Sequence, residues 1–258
     1  MRNLFSLEGR TALVTGGSRG IGKMIAEGFI AHGAKVYISS RKADACEATA
    51  KELSAGGGVC IALPVDVSTV AGAKALAAAM GAREKKLDIL VNNAGAAWLE
   101  PFDMFGEKGW DKVMDLNVKS PFFLTQALHG LLKGAASPAR PSKVINIVSI
   151  DGLSVNPQET YSYAASKAAL THLTRRLSLQ LAPENIIVSA IAPGPFKSDM
   201  NVVARDQPDE VGKRVPCGRV GSDEDMAGAA IYLASRAGDY VVGATVVVDG
   251  GLSLVRAV

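Results

Sequence analysis

Near its amino end the chain reads Thr11-Ala-Leu-Val-Thr-Gly-Gly-Ser-Arg-Gly-Ile-Gly22, and a helical pattern follows over residues 23–31. The apolar run Thr11–Thr15 predicts a strand, so strand, glycine turn and helix follow one another directly. Backbone N–H groups and the positive end of the helix dipole face whatever lies at such a turn, which favours an anion. The spacing G-x-x-x-G-x-G differs from the G-x-G-x-x-G dinucleotide fingerprint, and a tight connection without a ligand is the alternative. The position of the turn after the first strand of an alternating chain favours cofactor binding.

Strand and helix patterns alternate along the chain after this turn. Such alternation is typical of an α/β protein with a doubly wound parallel sheet, helices on both faces, and a ligand crevice at the carboxyl ends of the strands. Residues 195–216 are polar, broken and mixed in charge, which predicts a mobile lid over the crevice; we call them the lid segment. The remaining strands are predicted at Lys35–Ser39, 59–65, 87–91, 143–148, 186–192 and Thr245–Val248, and the remaining helices at 44–53, 70–80, 110–132, 163–181 and 222–235.

The composition disfavours several classes of function. With 258 residues, of which 48% are hydrophobic and 21% charged, we expect one globular domain over residues 1–258. A formal net charge of +3 without a Lys/Arg run does not favour nucleic acid. Three cysteines without a Cys-x-x-Cys spacing and three isolated histidines predict neither a disulfide framework nor a metal site. The amino terminus lacks the apolar core of a signal peptide, and no apolar run approaches about 20 residues, so we expect a soluble, cytoplasmic protein without a membrane segment.

The end of the second predicted strand indicates which dinucleotide would bind. Enzymes that prefer NAD usually place an acidic residue there to hold the ribose 2′-hydroxyl, whereas an arginine suits a 2′-phosphate. Here the strand is followed by Ser40 and Arg41, and Arg19 lies in the glycine turn. Because a guanidinium binds phosphate through two hydrogen bonds at once, these arginines favour NADP(H) over NAD(H). The alternative is that both are solvated surface charges.

Other predicted strand ends carry residues suited to a flat cofactor. Asp66 and Val67 follow the third strand, where they would contact the adenine edge. The fourth strand is closed by Asn92-Asn-Ala-Gly95, whose small residues let the backbone approach a ligand closely. The sixth strand ends at Pro193-Gly-Pro195.

The chemistry is predicted between Ser149 and Lys167. Ser149 ends the fifth strand, and Tyr163 and Lys167 are i and i+4 on the next helix, so both side chains leave the same face. A phenol has a pKa of about 10, and a nearby ammonium lowers it. We therefore expect Lys167 to make Tyr163 more acidic and Ser149 to bind the same substrate oxygen, although the pair alone also fits a solvated lysine beside a packed tyrosine. Asn117, inside the predicted helix 110–132, is unfavourable there unless its amide caps a kink or holds a water.

Five segments then stand in one order: residues 15–22, Asn92-Asn-Ala-Gly95, Asn117, Ser149 with Tyr163-x-x-x-Lys167, and Pro193-Gly194. As a set they resemble the short-chain dehydrogenase/reductase family over nearly the whole chain. The resemblance implies a single-domain Rossmann-like sheet of about seven parallel strands, and hydride transfer between a nicotinamide ring and a carbonyl carbon. It implies Tyr163 as general acid in reduction, Lys167 as ligand of the nicotinamide ribose, Ser149 as ligand of the substrate oxygen and Asn117 as holder of a water. Cofactor contacts are expected from Gly16, Ser18, Arg19, Gly20, Ile21, Gly22, Ser40, Arg41, Asp66, Val67, Asn93, Ala94, Gly95, Tyr163, Lys167, Pro193, Gly194, Phe196 and Ser198.

Within that family the chain looks most similar to 3-oxoacyl reductases of the rhamnolipid type. The similarity implies an NADP(H)-dependent reductase of a 3-oxoacyl thioester or related ketone. The alternatives are a sugar or polyol dehydrogenase of the gluconate 5-dehydrogenase type and a cofactor-binding regulator without turnover. Relatives usually assemble as tetramers through the helices at 110–132 and 163–181, so a homotetramer, or a homodimer, is expected. Arg140 falls where such reductases can carry a basic carrier-docking residue, whereas Glu184 stands near the matching second basic position.

Overall fold

The protein is built on one parallel β-sheet. In the computed structural model, which describes residues 3–253, seven strands lie in the order β3-β2-β1-β4-β5-β6-β7. All neighbouring strands pair in parallel. The strand order reverses between β1 and β4, which opens a crevice at the carboxyl ends of these strands. The strands are β1 Thr11–Thr15, β2 Lys35–Ser39, β3 Val59–Ala62, β4 Ile89–Asn92, β5 Ser142–Ile147, β6 Ile186–Pro193 and β7 Thr245–Val248.

Helices cover both faces of this sheet because strand side chains alternate between two cores. Ala12 and Val14 pack on one face with α1, α2 and α9, whereas Leu13 packs on the other face with α3, α5 and α6. A strand buried on both faces therefore reads as a continuous apolar run. The helices are α1 Gly20–Ala31, α2 Ala43–Ser54, α3 Val70–Gly81, α4 Glu107–Met114, α5 Ser120–Ala135, α6 Tyr161–Leu181, α7 Val202–Asp206, α8 Pro208–Gly212 and α9 Asp223–Ala234.

Besides shifts of one to three residues at the ends of other elements, three predictions differ from the structure. The strand predicted at 59–65 ends at Ala62, because Pro64 has no N–H to continue the ladder. The helix predicted at 110–132 is two helices, α4 and α5, joined by a π-helical turn at Asp115–Lys119. The lid segment contains the short helices α7 and α8, which its broken pattern did not predict.

The ends of the expected domain lie outside the described residues, since residues 1–2 and 254–258 are not among them. Across residues 3–253, none of the helices combines the length and the apolarity that crossing a bilayer requires. Cys46 and Cys60 are buried thiols, and Cys217 is an exposed one.

Candidate active site

The glycine turn between β1 and α1 is tied to the end of β4. The Thr15 hydroxyl accepts hydrogen bonds from the N–H groups of Asn93 at 3.0 Å and Ala94 at 3.1 Å. Asn93 Nδ2 donates to the Thr15 carbonyl at 2.8 Å. Gly16 has a φ of +65°, and a Cβ on it would lie 2.8 Å from Asn93 Nδ2, so the position requires glycine for backbone and contact alike. The glycine turn and the segment after β4, both predicted to bind cofactor, are thus hydrogen-bonded to each other at the carboxyl edge of the sheet.

The first turn of α1 carries backbone N–H groups at the same edge of the sheet. The helix begins at Gly20, and its N-cap residue Arg19 makes no side-chain capping bond. The initial N–H groups of the helix therefore have no partner from a capping side chain. A Cβ on Gly22 would lie 2.3 Å from the Gly16 carbonyl oxygen, so the turn closes this tightly only with glycine. This is the geometry of an anion site at a helix N-terminus. The turn is completed by two half-buried residues, Ser18 and Ile21.

The other predicted nucleotide contacts continue along the same edge. Ser40 and Arg41 follow β2, where Ser40 is half-buried and Arg41 is exposed. Beyond β3, Asp66 Oδ1 accepts a hydrogen bond from the Ser68 N–H at 3.0 Å, and Val67 is buried. An arginine and a carboxylate therefore follow the ends of β2 and β3, on the carboxyl edge of the sheet that also bears the glycine turn.

Ser149, Tyr163 and Lys167 converge beyond the end of β5. Ser149 Oγ accepts a hydrogen bond from the Asp151 N–H at 3.1 Å, which caps the short turn that follows. The Ser149 side chain is close enough to the Tyr163 phenol to lower its pKa. Lys167 Nζ donates to the Ile147 carbonyl at 2.8 Å. The same Nζ lies 5.5 Å from the centroid of the Tyr163 ring. A hydroxyl, a phenol and an ammonium thus lie together at the tip of one strand.

Burial acts against the acidity expected of Tyr163. Desolvation raises the pKa of Tyr163 to about 12; the nearby Ser149 side chain lowers that pKa, and the charge of Asp151 raises it. Desolvation also lowers the pKa of Lys167 to about 8. The net shift in the pKa of Tyr163 is therefore upward, opposite to the direction expected from Lys167 alone, because desolvation outweighs the other influences. Tyr163 holds its proton at neutral pH, which is the form that a proton donor requires.

Asn117 lies on the π-helical turn, and its amide joins two elements. Its Oδ1 accepts from the Ala96 N–H at 2.8 Å, and its Nδ2 donates to the Ala96 carbonyl and to Ser166 Oγ, both at 2.9 Å. Ser166 Oγ in turn donates to the Tyr163 carbonyl at 2.7 Å. The amide therefore fixes the chain that leaves β4 against the helix that carries Tyr163. A widened turn of this kind is common at functional sites.

Gly95, which follows β4, lies beside Asn117 and Lys167. A Cβ on Gly95 would lie 3.3 Å from Asn117 Oδ1 and 3.7 Å from Lys167 Nζ. The absence of a side chain lets a ligand approach the backbone between the amide and the ammonium.

The lid segment begins at the carboxyl end of β6. The N–H of Gly194 donates to the Val248 carbonyl at 2.9 Å, so the chain that leaves Pro193 is fastened to β7. Phe196 is buried. The predicted contacts at this end therefore lie on the same edge of the sheet as the glycine turn.

The lid segment also reaches the glycine turn. A Cβ on Gly20 would lie 3.2 Å from Ser198 Cβ. Arg19, which the sequence predicts to bind a phosphate, forms an ion pair with Asp199, with 2.5 Å between Nη1 and Oδ2. An internal carboxylate therefore lies on one of the two arginines predicted to recognise NADP(H).

Arg140 and Glu184 are engaged within the chain. Arg140 Nη2 donates to the Gly9 carbonyl at 2.7 Å, and its Nε lies 3.4 Å from Asp88 Oδ1. Glu184 Oε2 pairs with Lys133 Nζ at 2.7 Å. Gly9, Asp88 and Arg140 precede β1, β4 and β5, so they lie at the amino ends of the strands, opposite the crevice.

Three residues with contacts at the site were not predicted as site residues. Thr15 holds Asn93 and stands directly before the glycines, a signal that the sequence did offer. Ser166 gave no separate signal, because a serine beside Lys167 in a helix reads as ordinary. Asp199 is 180 positions from Arg19, and no local pattern reveals a contact over that separation.

Known proteins resemble this chain over nearly its whole length. A family model described as Enoyl-(Acyl carrier protein) reductase matches residues 16–253. The rhamnolipids biosynthesis 3-oxoacyl-[acyl-carrier-protein] reductase of Pseudomonas aeruginosa is 48% identical over 257 residues, which cover 98% of this chain and 100% of that protein. The 2-dehydro-3-deoxy-D-gluconate 5-dehydrogenase of Dickeya dadantii is 38% identical over 256 residues, 96% of this chain and 97% of that protein.

A solved structure of a similar protein has the same fold as this chain. The Pseudomonas aeruginosa RhlG/NADP active-site complex matches this chain with a TM-score of 0.94 and 47% identity, covering 98% of this chain and 100% of that one. The sheet, the ordered motifs and these full-length matches agree, and we conclude that the chain belongs to the short-chain dehydrogenase/reductase family.

Proposed function

We propose that this protein is an NADP(H)-dependent oxidoreductase that interconverts a ketone and a secondary alcohol, with a 3-oxoacyl thioester as the substrate it reduces. The observation that carries the proposal is the convergence of Ser149, Tyr163 and Lys167 on the edge of the sheet that bears the glycine turn. The 48% identity to a 3-oxoacyl-[acyl-carrier-protein] reductase supports the substrate class. The NADP complex of RhlG supports the cofactor.

The residues at the carboxyl edge of the sheet suit a phosphorylated dinucleotide. The N–H groups at the start of α1 suit the pyrophosphate, and Arg19 and Arg41 suit a 2′-phosphate. Gly95 leaves space for the nicotinamide end beside Lys167, which holds the ribose hydroxyls. The chemistry that NADPH supplies when bound is hydride donation to a carbonyl carbon. The further contacts proposed are those of Gly16, Ser18, Gly20, Ile21, Gly22, Ser40, Asp66, Val67, Asn93, Ala94, Tyr163, Pro193, Gly194, Phe196 and Ser198.

The protein side chains supply orientation and the proton. Ser149 Oγ donates a hydrogen bond to the substrate carbonyl oxygen and fixes the reacting face. Tyr163 gives its phenolic proton to the same oxygen, which becomes the alcohol. The Lys167 ammonium stabilises the phenolate that remains. Asn117 is a positioning residue, because it holds Ala96 and α6 in register, and a water beside it connects Lys167 to solvent.

The remaining features of the proposal concern the whole molecule. The protein is a single domain over residues 1–258, and the lid segment moves to admit substrate. It is cytoplasmic, which its free thiols support. It forms a homotetramer, or a homodimer, through α4, α5 and α6; exposed apolar side chains on two of these helices support such burial, with Trp110 41% and Leu179 73% exposed.

The substrate reaches the site as a free thioester in this proposal. Arg140 is paired with Asp88 and Gly9 at the opposite edge of the sheet, and Glu184 is an acid near the second docking position. Neither arrangement favours docking of an acidic carrier protein.

A sugar or polyol dehydrogenase is the second candidate, favoured by the 38% identity to a gluconate-type 5-dehydrogenase. Steady-state assays separate the two: NADPH oxidation with an acetoacetyl thioester is compared with NADP reduction by gluconate and polyols. Turnover of the thioester at the higher kcat/KM supports the first candidate, and turnover of the sugars alone supports the second. Tight NADPH binding without turnover on a broad ketone panel would instead indicate a regulator.

A further inference from the structure

One carboxylate of the lid segment bridges two arginines. Asp199 Oδ2 lies 2.5 Å from Arg19 Nη1, and Asp199 Oδ1 lies 2.8 Å from Arg205 Nη1. Arg205 also pairs with Asp206, at 2.8 Å between Nε and Oδ1. Asp199 therefore joins the glycine turn to α7 through Arg19 and Arg205. Asp206 pairs with Arg205, its neighbour in α7.

The pair between Arg19 and Asp199 is open to exchange. The two side chains are 67% and 48% exposed, and exposed ion pairs contribute only about 0–1 kcal/mol. Hydrogen bonds from Arg205 and the charge of Arg19 lower the pKa of Asp199, so the group is an anion at neutral pH. An anion with more charge and a second oxygen in reach can displace it from Arg19.

We propose that Asp199 competes with the 2′-phosphate of NADP(H) for Arg19, and so adjusts the cofactor preference and couples the cofactor to the lid segment. The inference rests on the NADP(H) binding proposed above. A phosphate monoester carries about −1.5 to −2 charges at pH 7 and binds a guanidinium through two hydrogen bonds. A carboxylate carries one charge, so the phosphate prevails and frees Asp199 from the glycine turn.

The two cofactors then leave the lid segment in different states. NADPH breaks the contact between Arg19 and Asp199, and leaves the close approach of Ser198 to Gly20 in place. NADH has no 2′-phosphate, so it leaves the ion pair in place. The free energy of NADPH binding therefore includes the loss of this pair, and that of NADH binding does not.

The test compares dissociation constants of NADPH and NADH, measured by nicotinamide fluorescence, for the wild type, Asp199→Asn and Asp206→Asn. Asp199→Asn removes the competing charge, and we expect the Kd of NADPH to fall about fivefold, the upper range for an exposed pair. The Kd of NADH stays within about twofold, because no competition is relieved. Asp206→Asn is the matched control: it removes a neighbouring carboxylate that pairs with Arg205, and we expect both constants to stay at their wild-type values.

A double-mutant cycle tests whether Asp199 acts through Arg19. In an Arg19→Ala background, Asp199→Asn leaves the Kd of NADPH unchanged, because the group for which it competes is gone. An unchanged or raised NADPH Kd in Asp199→Asn overturns the inference, as does an equal tightening in Asp206→Asn, which would indicate a general charge effect. If the wild type binds neither cofactor, the proposed function itself fails, and this outcome is distinct from the others.

Discussion

The Asn117 amide donates a hydrogen bond of 2.9 Å to the Ser166 hydroxyl, and so joins the π-helical turn to the helix that bears Tyr163 and Lys167. Asn117 is 1% exposed and Ser166 is fully buried. The same amide makes two hydrogen bonds to Ala96. One buried side chain therefore holds three segments of the site together.

Asn117→Ala removes all three bonds and leaves the half-buried N–H and carbonyl of Ala96 without this partner. We expect the free energy of unfolding to fall by about 3 kcal/mol, at about 1 kcal/mol for each hydrogen bond. Ser166→Ala removes one of the three together with the bond from Ser166 to the Tyr163 carbonyl, and should cost about 2 kcal/mol. Urea denaturation of both variants measures the difference, and equal losses would show that Asn117 does not carry the three contacts together.

Arg41→Ala tests the proposed recognition of the 2′-phosphate. Because a charge-assisted hydrogen bond contributes about 1.5–3 kcal/mol, the Kd of NADPH should rise at least about tenfold. The Kd of NADH should stay within about twofold, since NADH has no group for this arginine. Fluorescence titration measures both constants. Arg83→Ala is the control, since Arg83 is an exposed arginine that donates to the Ala79 carbonyl of the preceding helix α3. An equal weakening of both cofactors in Arg41→Ala would refute the role of Arg41.

The pH profile of reduction should follow Lys167. Its pKa is lowered to about 8 by burial, so the ammonium is present below that pH and is lost above it. The pKa of Tyr163 is raised to about 12, so the phenol keeps its proton across the same range. We expect kcat/KM for ketone reduction to be level below pH 8 and to decline above it, and alcohol oxidation, which needs a base, to increase with pH. Steady-state rates between pH 6 and 10 check this, and a level reduction profile up to pH 10 would contradict it.

Arg140→Ala should act on stability and spare the reaction. The variant loses the bond to the Gly9 carbonyl and the pair with Asp88, which together contribute about 1 kcal/mol at a partly exposed site. We expect a lower midpoint of thermal unfolding and an unchanged KM for acetoacetyl thioesters, whether free or carrier-bound. A rise in KM confined to the carrier-bound substrate would instead assign Arg140 to carrier docking.

The fold was largely predictable from the sequence, because each strand of a parallel sheet buried on both faces reads as an apolar run. β1, β2 and β7 have the predicted bounds, and the α/β class and the family are confirmed. The π-helical turn at Asp115–Lys119 was not predicted, although Asn117 was singled out as unfavourable inside a helix. The residues that its amide contacts there, Ala96 and Ser166, are distant in sequence.

The sequence predicted that Tyr163 and Lys167 lie close together, as they do in the structure, but it did not predict their electrostatics. The i, i+4 relation of Tyr163 and Lys167 fixes their common face, but not how much solvent surrounds them. Burial determines both pKa shifts, and the sign for Tyr163 is opposite to the one expected from Lys167 alone. The contact of Asp199 with Arg19 depends on the path of the lid segment, for which the sequence holds no local signal.

Tyr163 is the proton donor in this account, and Tyr163→Phe removes the hydroxyl while keeping the ring. The measurement pairs steady-state NADPH oxidation with an acetoacetyl thioester and NADPH binding by fluorescence on the same preparation. We predict that kcat/KM falls about 10³-fold, within the range for loss of a general acid, while the Kd of NADPH stays near the wild-type value. A variant that retains wild-type kcat/KM with NADPH bound would contradict the account.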